Sequence, residues 1–335
     1  MFILNSYATA VIFCIVTMLC WGSWANTQKL AGRHWRFELF YWDYALGVLL
    51  LSVIFGLTLG STGTAGRSFL ADLAQAERAN IFSAVLGGII FNLSNILLVA
   101  AIATAGMAVA FPVGVGLALV IGVVTSYLVK PEGNPTILLL GVGVVVLAII
   151  LDAVAYRRLG SGSSSGTRGI VLSVAAGVLM GFFYRWVAQS RAADFINPQA
   201  GMLTPYGAVF FFSLGLFLSN FLWNTLAMKF PFAGEPVPLK DYFKGSAGVH
   251  LTGILGGIIW NVGMSFSIIA SGQAGFAISY GLGQGATMVA AFWGVFIWRE
   301  FSGAPKGTAK LLAAMFAGYI IGLSLIIYAR TAAGG

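Results

Sequence analysis

Charge is what this sequence has least of. Asp, Glu, Lys and Arg make up 8% of its 335 residues, against about 25% in an ordinary soluble protein. So few polar side chains cannot cover a water-facing surface of this size, which excludes a soluble enzyme or binding module and implies an integral membrane protein. Cysteine is nearly absent. Cys14 and Cys20 stand six residues apart in one apolar run and face different directions on a helix, so they form neither a disulfide nor a metal pair. No His, Cys or carboxylate cluster has metal-ligand spacing, and no G-x-x-x-x-G-K-[ST] run is present to cradle phosphates. No cofactor and no direct ATP drive are therefore expected. The first apolar run lacks a basic leader and a small-residue cleavage site, so it reads as a span and not as a signal peptide. The formal charge of +8 would suggest nucleic acid in a soluble protein. Here the bases lie in loops between apolar runs, where a membrane surface accounts for them, and no nucleic-acid partner is expected.

Apolar length is what the chain has in excess. Hydrophobic residues make up 59% of it, and a span needs roughly 20 of them in succession. Ten candidates follow, near 8–26, 38–59, 81–103, 107–128, 136–156, 169–189, 205–228, 247–270, 275–298 and 309–329. Glycine, at 44 residues, suits close helix packing in lipid. Residues 87–127 and 256–296 repeat each other at an offset of 169 without a gap, with twelve of 41 positions identical, among them Gly87/Gly256, Asn92/Asn261 and Gly106/Gly275. Span 1 aligns loosely with span 6 through Met18/Met180, Trp24/Trp186 and Lys29/Arg191. The expected fold is an all-α integral membrane protein, ten transmembrane helices arranged as a 5+5 inverted-topology repeat. Residues 1–156 form the first half, 157–168 ("RRLGSGSSSGTR") a flexible linker, and 169–335 the second half. Five is odd, so the halves cross the membrane in opposite senses, an arrangement that places a substrate site between them and permits alternating access.

Twelve of the 18 Lys and Arg residues fall on the face that carries the loops after spans 1, 3, 5, 7 and 9. That face is expected to be cytoplasmic, which puts both termini on the other side of a cell inner (plasma) membrane.

Polar side chains inside spans are costly and default to function. Asn92 and Asn95, Asn220 and Asn224, Asn261 and Ser265, Tyr280 and Gln284, and Arg185 and Gln189 each share a helix face by spacing of three or four. Substrate contact and interhelical bonding are both open to these amides. Trp21, Trp24 and Gln28 share a face of span 1 and are assigned to the inner wall of the cavity, although Trp at a span end also fits a membrane anchor. Asp43, in "FYWDYALG", is the one acid well inside an expected cavity helix. It is the candidate for proton coupling, with a bridge to Lys29 as the alternative. Arg185 is a second coupling candidate, with snorkelling to the surface as its alternative. His250 reads as a cap or interfacial residue, Glu300 and Glu38 as surface, and Asp152 as an interfacial partner of Arg157 and Arg158. The stretch 67–80 reads as an amphipathic surface helix and 229–244 as a Pro-broken loop.

Ten spans, the five-plus-five pattern and "FWGVFIWRE" resemble the drug/metabolite transporter superfamily, in particular its glucose/ribose porter and ureide permease branches, with rhamnose–proton symporters more distant. The stretch 273–294, "QAGFAISYGLGQGATMVAAFWG", is similar to ureide permeases at Gln273, Gln284, Phe292, Trp293 and Gly294, and "YWDY" resembles their second span and carries Asp43. The central loop departs from the long one of the plant members. The resemblance implies a non-enzymatic secondary transporter that takes up a small uncharged polar solute, a sugar or a ureide or oxopurine, with a proton as coupling ion and the bilayer as its setting, in a monomer or homodimer. The alternatives are export of metabolites or drugs and, further off, a membrane-embedded enzyme, against which stands the lack of any nucleophile–base constellation.

Overall fold

A computed structural model describes residues 1–32, 35–159, 167–232 and 234–332. Arg33 and most of the expected linker, 160–166, lie outside the described residues. Among the described residues, ten helices are long and apolar enough to cross a membrane. They are α1 (Tyr7–Leu30), α2 (Phe37–Leu57), α3 (Arg78–Ala105), α4 (Met107–Val129), α5 (Pro135–Arg158), α6 (Thr167–Ser190), α7 (Pro205–Lys229), α8 (Ala247–Ala274), α9 (Phe276–Ile297) and α10 (Thr308–Thr331). No β-strand occurs among the described residues; one isolated bridge joins Arg191 to Leu203.

The helix starts are written locally. Ser6, Asn134, Thr204 and Ser246 each cap a helix by accepting a backbone N–H, and proline follows Asn134 and Thr204 at the first helical position. Gly106 and Gly275 are single-residue joints between α3 and α4 and between α8 and α9. Their angles nearly coincide, φ 75° ψ 164° and φ 85° ψ 157°, a region that only glycine enters freely.

Contacts recur five helices apart. Helix α3 packs on α6 and α7, and α8 packs on α1 and α2; α4 packs on α5 and α6, and α9 on α10 and α1. The details repeat as well. Gly88 lies against the backbone of Phe212 and Leu216, and Gly257 against that of Tyr44 and Val48. Asn92 donates to the Leu216 carbonyl at 3.1 Å, and Asn261 to the Val48 carbonyl at 2.8 Å. Helices α5 and α10 pair with each other away from the centre.

Three details depart from the sequence reading. Within 67–80 only Phe69–Gln75 is a separate helix, and it is not a free surface element: Phe69 and Asp72 are buried and Arg78 already belongs to α3. Asp152 is buried and makes no ion pair with Arg157 or Arg158, which point outward. Helix α9 is not continuous: it breaks at Gln284–Gly285 and ends in a π-helical turn, Trp293–Ile297.

Candidate functional site

Between α1, α2, α3, α4, α6, α8 and α9 lies a cavity of about 860 Å³, within the range of roughly 300–1,000 Å³ typical of small-molecule sites. Its deep wall is aromatic. Trp21 stacks on Trp260 with ring centroids 5.9 Å apart and donates its indole N–H to the Trp260 carbonyl at 3.2 Å. Trp260 in turn meets Phe91 at 4.5 Å. Phe91 and Trp260 are equivalent positions of the 169-residue offset. Trp24 completes the wall, with its ring 4.7 Å from Tyr44.

Three amides face this space. Asn95 is fixed through its N–H to the Tyr41 hydroxyl at 3.0 Å. Gln28 and Gln284 line the cavity and make no side-chain hydrogen bond among the described residues, so their full donor and acceptor capacity is available. Gln284 owes its place to the break in α9, where the helix unwinds beside the cavity. A similar turn at Trp24–Ala25 in α1 carries Trp24 itself and precedes the turn of helix that bears Gln28.

Among the described residues the charged side chains on the wall are Lys29 and Glu300, and they neutralise each other at 3.0 Å. Tyr156 also donates to Glu300 at 2.9 Å, and Lys29 lies 4.5 Å from the Trp298 ring centre. With their side chains 48% and 33% exposed, Lys29 and Glu300 mark the mouth. The mouth opens on the face of the loops after α1 and α9. Indole donors of Trp293 to Ser23 (2.9 Å) and of Trp298 to Asn26 (2.7 Å) hold the end of α9 to the end of α1. The opposite face is packed shut. Tyr184, Ser267 and Ser279 form a buried hydroxyl chain, with Tyr184–Ser267 at 2.9 Å and Ser267–Ser279 at 3.0 Å. Asp72 pairs with Arg67 at 2.9 Å and accepts from the Thr204 N–H (2.8 Å) and hydroxyl (2.9 Å). Burial pushes the Asp72 carboxyl above its usual range in spite of these bonds.

Of the residues picked from sequence, Trp21, Trp24, Gln28, Asn95 and Gln284 come together on the cavity wall. The others stand elsewhere. Asn92, Asn224 and Asn261 donate across helix contacts to backbone carbonyls, those of Leu216, Glu38 and Val48. Asn220 is fully buried, and neither amide atom finds a partner among the described residues. Tyr280 donates to the carbonyls of Ala118 and Met180, both at 3.2 Å. Arg185 is exposed on α6, at the opposite end of the bundle from Asp43. Asp43 lies behind the wall, 2% exposed. It is not bridged to Lys29. One oxygen accepts from the Tyr242 hydroxyl at 2.6 Å and the other meets His250 Nδ1 at 2.8 Å. Loss of solvent and the Asp43 carboxylate both push the Tyr242 phenol above its usual range. His250 packs edge-on against Trp35 at 5.5 Å, and Trp35 lines the cavity, so two rings, imidazole and indole, separate the acid from it.

Sequence reasoning missed Tyr242, which a Pro-rich loop delivers as part of a 3₁₀ turn, Leu239–Lys244. It also passed over Phe91, Trp260, Phe183, Trp298 and Glu300 as wall residues. A signal existed for the first two: they are the aromatic pair inside the repeated "GGIIFN" and "GGIIWN".

Ten spanning helices around a cavity open to one face and packed shut on the other define a multi-pass membrane protein of the transporter class. The comparisons are more specific. The ureide permease family profile matches residues 40–165 and 155–329, and the chain belongs to that family. It is similar to ureide permease 4 and ureide permease 1 of Arabidopsis thaliana, at 22% identity to each and over 98% of this chain and 98% of each relative. A probable ureide permease A3 of Vigna unguiculata is 22% identical over 91% of this chain and 99% of its own. A solved crystal structure shares the fold with a TM-score of 0.61 at 16% identity, over 97% of this chain and 98% of that one.

Proposed function

We propose that this protein is a secondary active permease that takes up a small, uncharged, polar solute, coupled to protons and working by alternating access. The observation that carries the proposal is the cavity: a ring-lined chamber with three amides and a mutually neutralised ion pair at its mouth. Flat indole faces suit a planar heterocycle or the apolar face of a sugar, and amides match ureido and hydroxyl groups equally. The names of the relatives favour a ureide over a sugar or a drug. Trp21, Trp24, Gln28, Asn95 and Gln284 are the substrate contacts in this reading. Asn92, Asn224, Asn261 and Tyr280 hold the helices that present them.

Alternating access rests on the duplication. The paired contacts of Gly88 and Gly257, of Asn92 and Asn261, and the matching joints at Gly106 and Gly275 support two halves, 1–156 and 169–335, related by inversion. Coupling is assigned to Asp43 with His250 and Tyr242, since a carboxylate held between a phenol and an imidazole behind the wall can exchange a proton with the cavity side. The mouth is taken as cytoplasmic and the termini as non-cytoplasmic. A thermal-shift series with allantoin, xanthine and glucose tests the substrate class: a ligand that binds only the folded state raises its melting temperature. A rise with allantoin or xanthine that is absent in Gln284→Ala supports the reading, and no rise with any of the three counts against it.

A further inference from the structure

Arg191 is a buried cation without a counter-ion in contact among the described residues. Arg191 follows directly on α6, on the sealed face, and is 3% exposed. Its guanidinium lies 3.7 Å from the ring centre of Phe276 and 4.4 Å from that of Phe195. Among the described residues it donates one bond, to the Ala192 carbonyl at 2.9 Å, and its Nε is buried with no partner. The acid whose field it feels, Glu132, pairs instead with Lys130 at 2.8 Å and Arg330 at 3.5 Å; Tyr184 is the other titratable group close enough to act on it. Burial pulls the Arg191 guanidinium down to about 9. Two ring contacts recover only part of what burying an unpaired cation costs. With one bond made among the described residues, most of its five donors are left for another acceptor.

The first half shows what that state offers. In the loose alignment of span 1 with span 6, Lys29 falls on Arg191. Each cation stands at or just beyond the last turn of the first helix of its half, and each packs on an aromatic ring. Lys29 lines the cavity at the open mouth. We infer that Arg191 is the cation of the cavity's second mouth: when the bundle opens on the face of residues 191–204, the guanidinium leaves the Phe195–Phe276 slot and binds carbonyl oxygens of the entering solute. This deepens the transport reading and rests on it. A planar fork of N–H donors fits paired carbonyl oxygens, as in ureides and imides, better than the scattered hydroxyls of a sugar. Arg191 is therefore also a specificity-determining residue, selecting carbonyl-rich solutes on that side.

Vesicles with the protein in a single orientation test this. The KM for allantoin is measured from each face for the unsubstituted protein, Arg191→Gln and Arg191→Lys. Arg191→Gln is expected to raise KM tenfold or more from the 191–204 face, to leave it within twofold from the Lys29 face, and to melt no lower than the parent; Arg191→Lys recovers part of the loss. Equal shifts at both faces, or none, overturn the assignment. A second measurement does not depend on transport: Arg191→Cys, with Cys14→Ala and Cys20→Ala, is exposed to a membrane-impermeant maleimide. Labelling from the 191–204 face alone supports a second mouth, and its absence from that face refutes it. If the unsubstituted protein moves no allantoin yet the cysteine is labelled, the transport reading fails and the opening stands.

Discussion

Replacing Asp43 separates its structural part from its part in coupling. In Asp43→Ala the Tyr242 hydroxyl and His250 Nδ1 both lose their partner, and the carboxylate they lose is 2% exposed. Hydrogen bonds to a charged group are worth about 1.5–3 kcal/mol each. The His250 side chain is 23% exposed, so water recovers part of the loss. A destabilisation of about 2–4 kcal/mol follows, read as a lower melting temperature in detergent. Asp43→Asn is different. The amide carbonyl still accepts from Tyr242, and the amide N–H₂ donates to His250 Nδ1 when the imidazole proton sits on Nε2. Its melting temperature should stay close to that of the parent, within about 1 kcal/mol of stability. The exchangeable charge is gone, however. In proteoliposomes Asp43→Asn should still exchange labelled allantoin against unlabelled allantoin and should fail to concentrate it under a pH gradient. Normal concentration by Asp43→Asn would refute the coupling assignment, and an Asp43→Ala variant that melts like the parent would refute the energetic one.

Four further outcomes follow from the geometry. Gly88→Leu and Gly257→Leu should both fail to give a monodisperse peak on size exclusion, because a side chain at either site meets the neighbouring helix backbone and overpacking costs about 1–3 kcal/mol or more. Lys29→Ala should leave the melting temperature unchanged, since a pair this exposed is worth about 0–1 kcal/mol, while raising the KM for entry at the mouth. Asn220→Leu removes an amide with no partner and should be neutral or stabilising with KM unchanged; a raised KM would place Asn220 at the substrate after all. Trp21→Ala should weaken allantoin binding in a thermal-shift titration, and unaltered binding would move the site off this wall.

The spans were legible because length and apolarity alone decide them. Their starts were legible where a cap and a proline coincide, as at Asn134–Pro135 and Thr204–Pro205. The amides were harder. Periodicity puts Asn92 and Asn95 on one face, but it does not say which neighbour that face meets. Asn92 finds a helix backbone and Asn95 finds the cavity. Asp43 stood out by itself, whereas its partners did not, since Tyr242 and His250 lie 199 and 207 residues away and the packing of α2 on α8 and on the turn Leu239–Lys244 brings them near. Glu300 reads as a surface residue by position. The π-helical end of α9 and the left-handed Arg299 (φ 52°) turn it back to Lys29 at the mouth. Such local irregularities carry no period and so leave no pattern in the sequence.

The central claim, that this cavity carries a ureide through the membrane by proton-driven transport, is tested most directly by uptake of radiolabelled allantoin into proteoliposomes under an imposed pH gradient. The expected result is internal accumulation above the external concentration, abolished by a protonophore, with KM raised tenfold or more in Gln284→Ala. Passive equilibration that ignores the gradient, or identical uptake by Gln284→Ala, would contradict it.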